Sequence, residues 1–282
     1  MPVVATTIEE TRHGVAAARQ AGKRIGLVPT MGALHAGHAS LLKAARAETG
    51  FVVASIFVNP TQFGPHEDLS RYPRPFEADV ALCEREGVDL IFHPAPPILY
   101  PAEFKTFVEV SDLQDRWEGA SRPGHFRGVA TIVLKLFNIV QPDVAYFGQK
   151  DFQQARLIER MACDLDVPLA LKICPTVREP DGLALSSRNQ YLNAEERRRA
   201  GVLFQALDAV QRRVAQGERE TAPLAALAEE LVWQTPGARL DYAAIVDPVS
   251  LRPVERIAGP VQMLLAVYIG STRLIDNMTL KP

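Results

Sequence analysis

The sequence predicts an α/β protein, a parallel sheet with helical crossovers followed by a smaller α+β C-terminal domain. Three observations carry this. Through the first two-thirds or so of the 282 residues, short apolar runs alternate with stretches of helical period. One of them, residues 51–58, is β-branched and almost wholly apolar, as a strand buried on both faces should be. Beyond about residue 180 the pattern changes to amphipathic helices followed by three strand-like segments.

Taken in order, residues 25–28 read as a buried strand, and an apolar-periodic helix occupies 39–47 after a turn broken by Pro29, Gly32 and Gly37. Residues 51–58 form a second strand, 75–87 a helix and 88–92 a third strand. A helix over 128–140, a strand over 144–147, a helix over 152–165 and a strand over 169–173 complete the series. Strand–helix alternation at this spacing implies right-handed crossovers, with ligands bound outside the carboxyl ends of the strands. In the second region Asn193 and Glu196 have capping-box spacing. The helix behind them keeps Val202, Ala206, Val210 and Val214 on one face, and a second helix opens at Thr221 with Leu224, Leu227 and Leu231 in a stripe. Residues 240–246, 261–269 and 274–278 read as strands of a separate sheet. Pro175, Pro180 and Gly182 mark the boundary, giving domains 1–177 and 178–282.

Composition narrows the function classes. A net charge of −2 supplies no bulk attraction for nucleic acid or membrane. No apolar run approaches the roughly 20 residues of a membrane span. The N-terminus has neither the basic start nor the apolar segment of a secretion signal, and Cys83, Cys163 and Cys174 are odd in number and far apart. A cytoplasmic protein with reduced thiols is expected.

The turn after the first strand carries the chemistry. It holds His35 and His38 where a helix begins, and the first turn of a helix has unpartnered N–H groups and a positive dipole end that favour phosphate. Imidazole N–H groups there add donors for charge developing in a transition state. The bland alternatives are a helix cap or a metal pair, and no third ligand stands at a usual zinc spacing. Four other segments are candidates. Asn59 and Gln62 offer neutral donors and acceptors after the second strand, and Lys150, Asp151 and Gln154 follow the strand at 144–147. Ser186, Ser187 and Arg188 have the makeup of a phosphate clamp. Arg122 to Arg127 forms a second basic loop, equally readable as a solvated loop, a subunit contact or a ligand contact. The P-loop and the Gly-x-Gly-x-x-Gly fingerprint are both absent, which argues against a P-loop kinase and a dinucleotide oxidoreductase. Nucleotidyl transfer, with a substrate oxyanion attacking the α-phosphate of ATP, fits better.

Together the blocks PTMGALHAGH, SIFVNPTQFGPHEDLSRYPR, RPGHFRGVATIVLKLFNIVQPDVAYFGQKDFQQ and LALSSRNQYL resemble the pantoate–β-alanine ligase (pantothenate synthetase) family over nearly the whole length. The resemblance implies a Rossmann-like domain of nucleotidylyl-transferase type, a C-terminal lid domain and a cytoplasmic homodimer. It implies ATP with Mg2+, pantoate and β-alanine as substrates, and a pantoyl adenylate intermediate. By match of motif, His38, His35 and Lys150 are the catalytic candidates. Met31, Gly32, Ala33, Leu34, His35, Ala36, Gly37 and His38 would line ATP, together with Gly148, Gln149, Lys150, Asp151, Val177, Leu185, Ser186, Ser187 and Arg188. Gln62, Gln154 and Asn59 would hold pantoate or β-alanine. No metal-ligand set follows, although Asp79 is a magnesium candidate by analogy. Ala36, Gln149 and Leu185 depart from the residues the family often carries there. Two other readings stay open: another adenylate-forming enzyme of the same superfamily, differing at Gln62 and Gln154, and a nucleotide-binding regulator without turnover.

Overall fold

The computed structural model describes residues 1–282, which divide into two compact units. The first comprises residues 1–149 and 153–175, and the second comprises 150–152 and 176–282. The first unit opens with β1 (Val3–Ala5) and α1 (Ile8–Gln20), then β2 (Ile25–Thr30), α2 (Ala36–Glu48), β3 (Phe51–Ile56), α3 (Phe76–Arg85) and β4 (Leu90–Phe92). Two four-residue helices, α4 (Pro96–Leu99) and α5 (Glu118–Ser121), lead to α6 (His125–Val140), β5 (Val144–Gly148), α7 (Phe152–Asp164) and β6 (Ala170–Cys174).

All pairings in this sheet are parallel, in the order β1-β4-β3-β2-β5-β6. From β2 the chain steps one way to β3 and β4, then to the other side for β5 and β6. The order therefore reverses between β2 and β5, the crevice where doubly wound sheets take ligands. Ile25, Leu27, Val28, Val52, Val53 and Ala54 are fully buried, which explains why β2 and β3 read as unbroken apolar runs. Leu41, Leu42 and Ala45 of α2 and Cys83 of α3 pack into one face of the sheet against Val28, Val52, Ala54 and Ile91.

β1 and α1 are additions to the expected series. Val3 and Val4 are exposed, and three residues are too few for periodicity to register; pairing of Val3 with Leu90 makes the segment a strand. α1 carries a capping box between Thr7 and Glu10. β3 ends at Ile56 rather than residue 58, where Asn59 and Pro60 begin a 3₁₀ turn.

In the second unit, α8 (Ala194–Arg199), α9 (Val202–Ala215) and α10 (Thr221–Trp233) precede β7 (Ala238–Val246), β8 (Val261–Ile269) and β9 (Thr272–Leu280). The three strands form an antiparallel sheet in chain order. The Asn193–Glu196 capping box is present, but the helix behind it is two helices, interrupted at Ala200 and Gly201. Glycine is a poor helix former, which fits an interruption there. Val202, Ala206, Val210 and Val214 join Leu224, Ala228, Met263, Leu265 and Val267 in one core.

Candidate active site

The histidine turn is built from a buried carboxylate. Thr30 ends β2, and its hydroxyl donates to the Ser55 carbonyl at 2.7 Å and accepts the Gly32 N–H at 3.2 Å. Gly32 has φ +82° and Ala33 φ +50°, a left-handed pair that a non-glycine residue adopts only under constraint. The constraint is Asp79 of α3. Its two oxygens accept the N–H groups of Ala33 at 2.9 Å and Leu34 at 2.7 Å. Burial pushes the Asp79 carboxyl above the usual carboxylate range, against the pull of those two donors.

The chain then enters α2 with His35 as its N-cap. His35 Nδ1 accepts the Gly37 N–H at 3.1 Å, and His38 Nδ1 accepts the His35 N–H at 3.3 Å. A nitrogen that accepts carries no proton, so each neutral ring keeps its hydrogen on Nε2. The cap role and the donor role thus coexist: the same bonds that close the helix end fix the tautomer that donates. The rings lie 4.2 Å apart, both half-buried.

Beside β2, the end of β3 carries the amides. Asn59 caps a 3₁₀ turn over Pro60–Gln62, and its Nδ2 donates to Gln62 Oε1 at 3.0 Å and to the Gly128 carbonyl at 3.1 Å. Gln62 Nε2 lies 3.0 Å from the sulfur of Met31. This turn therefore joins three of the expected site residues in one cluster, Asn59 and Gln62 buried and Met31 half-buried. Gly148 ends β5, across the sheet's reversal point from β2, and Gln149 opens the 3₁₀ turn that follows. In α7, Gln153 is buried and its side chain bonds the backbone of Leu113, Arg116 and Glu118, whereas its neighbour Gln154 is half-buried.

The remaining expected residues belong to the second unit. Lys150 Nζ is 3.3 Å from Asp151 Oδ1, and the Lys150 carbonyl accepts Asn277 Nδ2 at 2.8 Å. Val177 accepts the Leu185 N–H at 3.0 Å, placing two expected contacts side by side. Ser186 caps a 3₁₀ turn over Ser187–Tyr191 by accepting the Arg188 N–H at 3.3 Å. Arg178 grips the buried Asp276 through Nη1 and Nη2 and also donates to the Gly182 carbonyl, bracing this loop; nothing in the sequence had drawn attention to that pair.

Comparison with known proteins settles the family. The family model described as pantoate-beta-alanine ligase matches residues 3–279. The chain belongs to this family. It is therefore a ligase by kinship. It is 56% identical to the pantothenate synthetase of Moorella thermoacetica, over 98% of this chain and 97% of that one. Its structure superposes on a pantothenate synthetase from Thermus thermophilus with a TM-score of 0.95 at 47% identity, covering 99% and 100% of the two chains. Pantoate-beta-alanine ligase from Francisella tularensis, crystallised with beta-gamma ATP and beta-alanine, matches at TM-score 0.80 and 34% identity over 99% and 98%. The six-stranded parallel sheet and the small antiparallel one are those of the pantoate-beta-alanine ligases.

Two residues of this ligase's candidate site have roles that the sequence did not reveal. Asp79 was read only as a magnesium candidate, yet both its oxygens are engaged in holding the histidine turn. Arg122 lies neither on a solvated loop nor at a surface: its side chain is 12% exposed and sits among Glu67, Glu118 and His125. No group of three or more His, Cys, Asp or Glu is placed to hold a metal, and no helix is long and apolar enough to cross a membrane.

Proposed function

We propose that this chain condenses (R)-pantoate with β-alanine at the expense of ATP, through pantoyl adenylate, releasing pyrophosphate and then AMP. The observation that carries the reading is the juxtaposition at the carboxyl ends of β2 and β3: a helix N-terminus bearing two Nε2–H histidines, next to the Asn59–Gln62–Met31 amide cluster. The first suits a triphosphate, the second a small hydroxy acid.

In this reading the triphosphate lies at the start of α2. Pantoate, held by Gln62 and Gln154 while the buried Asn59 orients the Gln62 amide, directs a carboxylate oxygen at the α-phosphorus. The new O–P bond forms as the bond to pyrophosphate breaks. Such chemistry asks for positioning and charge neutralisation rather than a protein nucleophile. His38 and His35 donate to the equatorial oxygens; Lys150 and Arg188 neutralise the departing pyrophosphate. Met31 to Gly37, Gly148, Gln149, Asp151, Val177 and Leu185 to Ser187 complete the nucleotide contacts. The deprotonated amine of β-alanine then attacks the acyl carbon, and AMP leaves. Magnesium would supply further neutralisation of the phosphates. Magnesium commonly binds through substrate phosphates and water rather than in an all-protein cage.

The reading further assigns 1–177 to binding ATP and pantoate, and 178–282 to a lid that keeps water from the adenylate, a mixed anhydride prone to hydrolysis. It places the enzyme in the cytoplasm as a homodimer. The test is a partial reaction. With ATP and pantoate alone, pyrophosphate is released to about one equivalent per active site, and AMP appears only when β-alanine is added. Pyrophosphate release that waits for β-alanine would reject the adenylate.

A further inference from the structure

We propose that Arg122 and His125 are positioning residues for Gln62, acting on its main-chain carbonyl and not on a substrate. The inference rests on the reading that Gln62 binds pantoate.

The 3₁₀ turn bearing Gln62 is weakly held by its own backbone: Gln62 N–H reaches the Asn59 carbonyl at 3.4 Å, and Phe63 N–H the Pro60 carbonyl at 3.3 Å. These lie beyond the usual range for amide hydrogen bonds. Its position is set from outside. His125 Nδ1 is 2.8 Å from the Gln62 carbonyl oxygen. That oxygen only accepts, so Nδ1 carries the hydrogen and Nε2 of the neutral ring is an acceptor. Nε2 is met by Arg122 Nη1 at 3.2 Å, so the two contacts demand the same tautomer.

Arg122 locks the arrangement. Its Nε donates to Glu67 Oε1 at 3.0 Å and its Nη2 to Glu67 Oε2, a bidentate pair. Nη2 also reaches the Gln62 carbonyl at 3.3 Å, and Nη1 donates to Glu118 Oε1 at 3.3 Å. With His125 Nε2 included, all five N–H donors of the guanidinium are directed at protein acceptors, leaving none for a phosphate or carboxylate ligand. Gly128 completes the seat. A Cβ there would come within 2.4 Å of the Thr61 carbonyl oxygen and 2.7 Å of Gln62 Cα, so the turn rests directly on the backbone of α6. The Gln62 carbonyl thus cannot shift without uncovering a buried guanidinium donor, which costs more than an ordinary hydrogen bond.

Steady-state kinetics on the full chain test this, with pantoate and ATP varied in turn. His125→Leu should raise the KM for pantoate at least about tenfold while the KM for ATP stays within about twofold, the signature of a lost ground-state contact to one substrate. His125→Asn places an amide N–H where Nδ1 was and should bring the pantoate KM back to within about threefold of wild type; His125→Gln, whose amide matches Nε2 instead, should not. The Asn and Gln variants, both polar, carry the test if the Leu variant fails to fold. In the double variant with Gln62→Ala, His125→Leu should add almost nothing to the effect of Gln62→Ala alone. The inference is overturned if pantoate and ATP KM rise together, if Asn and Gln behave alike, or if the two effects add in full. Should Gln62→Ala leave the pantoate KM unchanged, the reading of Gln62 fails and the inference with it. A raised KM in Gln62→Ala with none in His125→Leu overturns the inference alone.

Discussion

Two helices of the first unit begin at a histidine pattern of the same spacing: His35-x-x-His38 at the start of α2, and Arg122-x-x-His125 at the start of α6. At α2 both rings are half-buried, with Nδ1 accepting backbone N–H groups and the proton on Nε2. At α6 the proton sits on Nδ1, the ring is buried, and it faces the Gln62 carbonyl. The tautomers are opposite because the partners are opposite: N–H donors at one helix start, a carbonyl at the other. A histidine's job is thus decided by what its Nδ1 meets, which residue spacing alone does not specify.

The comparison can be broken in four places. The largest effect is expected at α2. His38→Ala should slow adenylation by roughly two orders of magnitude or more, as the loss of a transition-state donor does, with ATP affinity changed far less. Rapid-quench measurement of pyrophosphate release at saturating ATP checks it.

The second effect belongs to α6 and is read in stability. Burial, then the neighbouring Arg122 charge, hold the His125 imidazole down to about 4 from an ordinary value of 6.5. The unfolded chain therefore takes up this proton first as pH falls. Stability is intact above about 6.5, erodes between there and about 4, and the loss is complete below, on the order of 3 kcal/mol. Glu67 adds in the same direction at lower pH: burial raises its carboxyl, but the Arg122 guanidinium outweighs that and holds it below the usual range. Denaturant melts from pH 7 to 4 should show this slope, and His125→Asn should flatten its upper part.

The third is steric. Gly128→Ala pushes a methyl into the Gln62 turn, and overpacking of this kind costs about 1–3 kcal/mol. The same variant should weaken pantoate use more than ATP use, and an equal loss of both would show that α6 supports more than that turn. The smallest is the cap itself. His35→Ala should cost about 1 kcal/mol of stability through the lost N-cap, and His35→Asn should recover most of it, measured by chemical denaturation.

How much of this was legible in the sequence follows from range. The strands β2 to β5 and the longer helices between them could be read because burial leaves nearly unbroken apolar runs, whereas the edge strand β6 exposes Ala170 and Lys172. β1 could not, since its identity rests on pairing with β4 some 87 residues on (Val3 with Leu90). The histidine turn, Asn59 and Gln62 stood out because short polar motifs after strands carry local signals. Asp79 and Arg122 were noticed too, but not for the roles they have. Asp79 reaches Ala33 from 46 residues away, and Arg122 meets Glu67 across 55 and Gln62 across 60. A carboxylate that accepts two backbone N–H groups looks, in sequence, like any acidic residue of a helix.

The most direct test sets the two helix starts side by side. Single-turnover pyrophosphate release is measured for wild type, His38→Ala and His125→Leu as pantoate is raised to saturation. The account predicts that His125→Leu recovers most of the wild-type rate once pantoate saturates, whereas His38→Ala stays at least about a hundredfold slow at any concentration of either substrate. Recovery of His38→Ala by substrate, or a His125→Leu defect that pantoate cannot relieve, would contradict it.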